Sequence, residues 1–388
     1  MTPDARIAAS AELLDEIALG RPAAQVLINW ARSNRYAGSS DRAAVRDHVY
    51  DALRRRRSAA ARGGGDTGRA LMIGLLREAG RDPETVFTGI GHAPAPLTPE
   101  DRQHWREPDS DAEACDLPDW LRPELERGFG ANWPDVALAL RDRAPVWLRV
   151  NPRKANLDEA VAALAEDSIT ALPEAHVQGA LMVTTGPRKI ATSRAYTTGM
   201  VEIQDLSSQA VVATLPLADG QSVLDYCAGG GGKTLAMAGR AAARFHCHDA
   251  LPRRMADLPA RAARAGVEIT TLAPADLAAS GPFDLVFCDA PCSGSGSWRR
   301  DPEGKWALTA ETLAERTRLQ DDILNAAAPL VAPQGVLAYA TCSLLSCENE
   351  DRIAAFQARH PEWQAVFSRQ LDLSRGGDGF YIAHLTRK

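Results

Sequence analysis

The sequence predicts an α/β protein. Its C-terminal half reads as a doubly wound, mostly parallel sheet, preceded by an all-helical region and a small α/β subdomain. Three observations carry this. From residue 201 onward, short apolar runs alternate with amphipathic stretches. The first of these runs, SVLDYCA, opens directly into a glycine-rich loop ending Gly232-Lys233-Thr234. Residues 1–80 are dominated by Ala, Leu and Arg in helical patterns. At 388 residues the chain exceeds one ordinary core, and the domains read as 1–135, 136–200 and 201–388.

Each element follows from its pattern. In RIAASAELLDEIALG, Ile7, Leu14 and Ile17 recur near helical spacing and Gly20 supplies a stop. DRAAVRDHVYDALRRRR places Val45, Val49 and Leu53 on one face and ends in the run Arg54–Arg57. That run suits a helix C-terminus as a solvated face, or a nucleic-acid phosphate. Residues 90–135, rich in Pro, Asp and Trp, read as an irregular connector. In the next region VWLRVNP and ALMVTTG are strand-like and LDEAVAALAED is helical. Beyond it, SVLDYCA, ARFHCHD, VEITTL, FDLVFCDAP, GVLAYATCS and GFYIAHLTRK are the strand candidates. The direction of the last is not fixed by pattern, because segment 361–378 before it is poorly defined.

Composition removes several function classes. Hydrophobic residues at 45% and charged residues at 24% are those of an ordinary globular chain. There is no run of eighteen apolar residues and no apolar leader-like segment at the start, which points to a cytoplasmic protein without membrane partners. A net charge of −6 requires any nucleic-acid contact to come from local basic patches. Seven cysteines without a CxxC pair argue for reduced thiols rather than a disulfide framework. His246, Cys247 and His248 do not make a metal site: on an alternating strand Cys247 faces away from both histidines, and no second ligand cluster follows.

The glycine loop has two readings. A phosphate-binding P-loop needs a glycine five positions before Gly232, and that position is Cys227. The alternative is a nucleoside-cofactor loop beyond the carboxyl end of a parallel strand. This reading demands an acidic residue ending the next strand, to hold ribose hydroxyls, and Asp249 stands there. A dinucleotide fingerprint lacks its third glycine. The remaining strand ends add chemistry. Asp289 and Cys292 leave one strand in DAPCSGSG, and Thr341 and Cys342 leave another in ATCSLLSCENE. In a parallel sheet these emerge on the edge that carries the glycine loop. A single cysteine is usually a small buried hydrophobe. Two beside a nucleoside cofactor form a chemical constellation.

On these motifs, and on LRVNPRK, QDLSSQAVV, WRRDPEGKW and GDGFYIAHL, the chain resembles the Sun-type (Nol/Nop/Sun) RNA (cytosine-5)-methyltransferases. Its start resembles the NusB-like domain of their bacterial 16S rRNA members. The resemblance covers nearly the whole chain, most specifically residues 200–388. It implies a Rossmann-like class I methyltransferase domain, S-adenosyl-L-methionine as cofactor, and small-subunit rRNA as partner of a monomeric enzyme. It also implies Cys342 as the nucleophile, Cys292 as a helper in product release, and Asp289 and Lys233 near the target base. The DNA enzymes use the proline–cysteine motif, which makes Cys292 the alternative nucleophile. For the cofactor it implies Cys227, Ala228, Gly229, Gly230, Gly231, Gly232 and Lys233 from the loop, with Asp249, Arg254, Asp276 and Asp289. One departure is visible. The family loop usually has Ala-Pro where this chain has Gly229-Gly230, losing a fixed φ and adding entropy to be lost on ordering.

With RNA as substrate, the aromatic–basic cluster Trp298, Arg299, Arg300, Lys305 and Trp306 becomes a candidate contact, as do Arg54 and Arg55. A P-loop NTPase and a non-catalytic assembly factor with a methyltransferase shell are the competing functions. The first predicts phosphate release without S-adenosylmethionine binding. The second predicts indifference to loss of Cys342.

Overall fold

The computed structural model describes residues 1–388 as two compact units. The first comprises Met1–Arg143 together with Trp298–Leu308, an excursion of the chain out of the second. Its main helices are Pro3–Ala18, Ala23–Ser33, Ser39–Arg54, Arg56–Gly63 and Gly68–Glu78. The first begins with Thr2, whose side chain accepts from the Ala5 N–H at 3.2 Å, and Gly20 follows its end at φ +86°. Ile7, Leu14, Val45, Val49 and Leu53 share one buried core, as their spacing predicts. The excursion is tied into this unit. Glu303 accepts from the Ala23 N–H at 2.8 Å, the Trp306 indole donates to Leu53 O at 2.6 Å, and Lys305 Nζ donates to Arg54 O at 3.2 Å.

The second unit, Ala144–Ser297 with Thr309–Lys388, contains two sheets. The smaller is antiparallel and is built from β1 (Val146–Val150), β2 (Thr170–Pro173), β3 (Ala180–Thr185) and β4 (Val201–Ile203), in the order β2-β3-β1-β4. It packs on helix Leu157–Glu166 through Leu148, Leu164 and Leu181. The larger sheet contains β5 (Ser222–Asp225), β6 (Arg244–Cys247), β7 (Thr270–Thr271), β8 (Phe283–Asp289), β9 (Val331–Thr341), β10 (Trp363–Leu371) and β11 (Phe380–Arg387). Its order is β10-β11-β9-β8-β5-β6-β7, with β5 to β9 parallel and β10 and β11 antiparallel. The chain reverses its winding between β5 and β8, the crevice where doubly wound sheets bind ligands.

Two expectations about domain bounds are corrected, and the segment left undefined by its pattern takes shape. The small sheet runs through Ile203, so a boundary at 200 cuts off its strand β4. Segment 361–378 holds an edge strand, β10, whose residues are mostly exposed and therefore carry no apolar alternation. The excursion Trp298–Leu308 belongs to the helical unit although its sequence neighbours belong to the sheet unit.

Candidate active site

The geometry starts at β5. Asp225 ends the strand fully buried, accepting from Thr234 Oγ1 at 2.6 Å, while its Oδ1 has no hydrogen-bond partner. Burial pushes its carboxyl up to about 7, with the charge of nearby Asp289 adding to the effect. The loop then turns at Gly229, whose φ of +50° favours glycine. The Gly229 N–H donates to Asp249 Oδ2 at 3.0 Å. Asp249 is buried at the end of β6, where its Oδ1 accepts from the Leu251 N–H at 2.9 Å and Arg254 lies 3.2 Å away.

The glycine loop is also held by Arg261, on helix Leu258–Ala265 after β6, and by Arg149 of the small sheet. Arg261 Nη1 donates to Gly230 O at 2.5 Å, and Arg149 Nη1 donates to Gly232 O at 3.0 Å and to Gln204 Oε1 at 2.8 Å. Glu202 lies opposite Arg149 in the β1–β4 register. Its buried carboxylate accepts from Arg261 at 3.0 Å and from Arg264 at 2.5 Å. Burial lowers the Arg149 guanidinium to about 10, against the raising effect of Glu202, so it remains a cation.

The register of β8 on β9 pairs Asp289 with Ala340 and so brings the two cysteine segments side by side. Cys292 Sγ and Cys342 Sγ lie 3.3 Å apart as free thiols in a hydrogen bond. That hydrogen bond, reinforced by burial, holds the Cys292 thiol well above its ordinary range, so it stays protonated. Burial does the same to Cys227 in the glycine loop. Lys233 Nζ donates to Asp289 Oδ2 at 2.7 Å and sits 4.9 Å from the centre of the Phe380 ring. Burial works to lower the lysine, yet the charge and hydrogen bond of Asp289 outweigh it and raise the ammonium above its usual value.

A buried polar network sets the two cysteine segments against each other, and sequence reasoning missed it. Glu348, fully buried, accepts from the Ser293 N–H at 2.8 Å, Ser293 Oγ at 2.5 Å, Ser343 Oγ at 2.6 Å and Gln320 Nε2 at 3.0 Å. Asn349 accepts from Thr341 Oγ1 at 2.5 Å and donates to Ser343 O at 3.0 Å. Ser295 Oγ accepts from the Leu344 N–H at 2.8 Å. Two glycines complete the packing: a Cβ at Gly296 would stand 1.9 Å from Gly379 O, and the Gly379 N–H donates to Gly296 O at 3.0 Å. The only signal in the sequence was the serines beside each cysteine and the glutamate a few residues after Cys342.

The other expected residues are placed as follows. Cys227, Ala228, Gly230, Gly231 and Gly232 line the turn after β5, and Asp276 is exposed after β7. The Asp276 side chain caps no helix. The aromatic–basic cluster is largely withdrawn from solvent: Trp298, Arg299, Lys305 and Arg54 are all at least nine-tenths buried. Arg54 donates to Arg299 O at 2.8 Å, and burial lowers the Lys305 ammonium to about 8 despite the opposing charge of Asp116. Arg55 lies within 4 Å of Asp51, Glu78 and Asp142. Trp306 is partly covered, with Arg56 over its ring, and Arg300 is exposed. Trp298, Arg299, Lys305 and Arg54 therefore pack inside the helical unit, correcting the expectation that they meet RNA.

The residues fit a nucleoside cofactor. A carboxylate ends the second strand beside a glycine turn that brings backbone to within hydrogen-bond reach of it, and Asp225 supplies a buried oxygen without a partner. This sheet order, this loop and two apposed thiols define a Rossmann-like methyltransferase fold.

Comparison with known proteins makes the class particular. Residues 212–386 match the family model described as 16S rRNA methyltransferase RsmB/F, and residues 117–189 match the ferredoxin-like domain of RsmF/B-like methyltransferases. The chain belongs to this RsmB/F family. It is 33% identical over 286 residues to ribosomal RNA small subunit methyltransferase B of Yersinia pestis, covering 70% of this chain and 66% of that protein. Thus the match leaves a third of the curated relative's length unaligned. Among solved structures, PH0851 is 22% identical and aligns over 100% of this chain and 99% of its own, with a TM-score of 0.77. NSun6 from Pyrococcus horikoshii, solved with SFG, is 16% identical and covers 70% of this chain and 98% of its own at a TM-score of 0.61. These two likenesses show the fold. No helix of the chain is long and apolar enough to cross a membrane.

Proposed function

We propose that this chain methylates carbon 5 of a cytosine in RNA, with 16S rRNA as the substrate, acting as a cytoplasmic monomer. The observation that carries the reading is the pair Cys292 and Cys342, 3.3 Å apart between Asp289 and the Glu348 network. S-adenosylmethionine would supply an electrophilic methyl group. Asp249 would hold its ribose hydroxyls, Asp276 its adenine amine, and the turn Ala228–Gly231 the remaining polar part, with Arg254 steadying Asp249.

Carbon 5 of cytosine is a weak nucleophile until carbon 6 carries a covalent partner. In this reading Cys342 gives its proton to solvent and adds to carbon 6 as a thiolate, which places electron density on carbon 5 for the methyl group the cofactor would supply. Water then accepts the carbon 5 proton as the sulfur–carbon 6 bond breaks and Cys342 leaves as a thiolate. Asp289 has Oδ2 occupied by Lys233, and its Oδ1 accepts from the exocyclic amine of the base. The Lys233 ammonium holds that carboxylate in place through its hydrogen bond to Oδ2. Cys292 stays protonated and supports departure of Cys342 once the carbon 5 proton is gone. The target base must leave any stack to reach this crevice, which favours looped or single-stranded RNA.

Bisulfite sequencing of RNA from a strain lacking this protein tests the assignment. The reading expects one 5-methylcytosine lost from 16S rRNA. A complete, unchanged set of sites in all RNAs sinks it.

A further inference from the structure

We propose that the face of the helical unit formed by Ile28, Arg32, Arg35, Tyr36 and Arg42 is an RNA-docking surface that grips phosphates of a single-stranded segment. The inference rests on the RNA reading above and locates a contact that the corrected residues Arg54 and Lys305 do not provide. Most arginines of this unit are already engaged: Arg6 with Asp41, Arg57 with Asp119, Arg69 with Asp101, Arg102 with Glu84 and Arg106 with Glu113. Arg32, Arg35 and Arg42 are exposed and have no carboxylate partner. With Ile28 and Ala31 they line one shallow, open recess of about 500 Å³.

Local stability does not explain two of these charges, Arg35 and Arg42. Arg42 stands in the first turn of helix Ser39–Arg54, where the helix dipole disfavours a cation. Arg32 closes helix Ala23–Ser33 favourably, but Arg35 lies in the following turn with no helix to serve. Ile28, in the recess, is 46% exposed, and Tyr36, which follows Arg35 in the turn outside the recess, is 73% exposed. In a chain of net charge −6 the three arginines are a local positive exception. Guanidinium groups match phosphate geometry, an exposed tyrosine offers a face for a base, and the exposed Ile28 offers apolar contact. That combination fits single-stranded RNA better than an acidic protein, which would not require the aromatic face.

The test uses the full chain with Arg32→Gln, Arg35→Gln and Arg42→Gln combined, and fluorescence anisotropy of a labelled single-stranded RNA across about 50 to 200 mM salt. The expected result is a loss of affinity of roughly tenfold or more, with the slope of log K against log salt reduced by about 2, near 0.7 for each phosphate contact. The corresponding triple lysine variant should recover most of the slope, and both variants should bind S-adenosylmethionine as the parent does. Equal affinity and slope in parent and glutamine variant overturn the surface. So does a variant that keeps naked RNA but loses a ribonucleoprotein particle, since the partner is then protein. A parent that binds no RNA overturns the RNA reading itself.

Discussion

The glycine loop and the cysteine segments both sit at strand ends of one sheet, yet they are held by opposite means. The turn after β5 contributes almost no side chains, so charged groups hold its backbone from outside: Asp249 takes the Gly229 N–H, and Arg261 and Arg149 take the carbonyls of Gly230 and Gly232. The cysteine segments hold each other from within, through a buried carboxylate that meets four neutral donors and no cation. The difference teaches where tolerance lies. A main chain clasped by charged groups on neighbouring elements can loosen without unfolding. A buried carboxylate whose donors lose their acceptor leaves several groups unsatisfied at once.

Breaking the inner network should therefore cost most. Glu348→Ala strands the donors of Ser293, Ser343 and Gln320, and we expect about 3 kcal/mol of destabilisation in chemical unfolding. In the folded fraction, transfer should fall on the order of 100-fold, because the two thiols lose their register. Next comes Asp249→Ala, which removes the acceptor for Gly229 and the proposed ribose contact. Calorimetry should show S-adenosylmethionine binding weakened by about 10- to 100-fold, as expected for losing a charged hydrogen-bonding partner. Unchanged affinity would remove Asp249 from the site.

Asp225 gives a pH signature. Its folded-state carboxyl titrates at about 7 against an ordinary 3.8, so between these values the folded protein binds the extra proton and stability falls as pH rises. The penalty is absent below pH 3.8 and complete above about 7, with a slope of up to about 1.4 kcal/mol per pH unit between them. Asp225→Asn keeps an acceptor for Thr234 and should flatten that slope in unfolding measurements. The smallest effect belongs to the outer clasp. Arg261→Ala should raise the cofactor Kd by about three- to tenfold with little change in kcat, near 1 kcal/mol, because Arg149 still holds the loop and Arg264 still pairs with Glu202. A larger loss there than at Glu348 would reverse the comparison.

Much of this was legible in the sequence, for physical reasons. Parallel strands buried on both faces read as continuous apolar runs, so β5, β8 and β9 announced themselves and their terminal Asp225, Asp289 and Cys342 could be placed on one edge. Edge strand β10 was hidden because exposure removes the pattern. The holding groups were hidden because Glu202, Arg149 and Arg261 act across long sequence separations, and neither charge nor spacing reveals a cross-strand partner. The aromatic–basic cluster misled for a related reason. Composition alone does not distinguish an arginine that faces RNA from one that donates to a buried carbonyl, as Arg54 does.

The most direct measurement is covalent trapping on RNA that carries 5-fluorocytosine at the target, with S-adenosylmethionine present. The parent should form a stable protein–RNA adduct, Cys342→Ala should form none, and Cys292→Ala should still form it. An adduct that survives in Cys342→Ala and vanishes in Cys292→Ala would contradict the account.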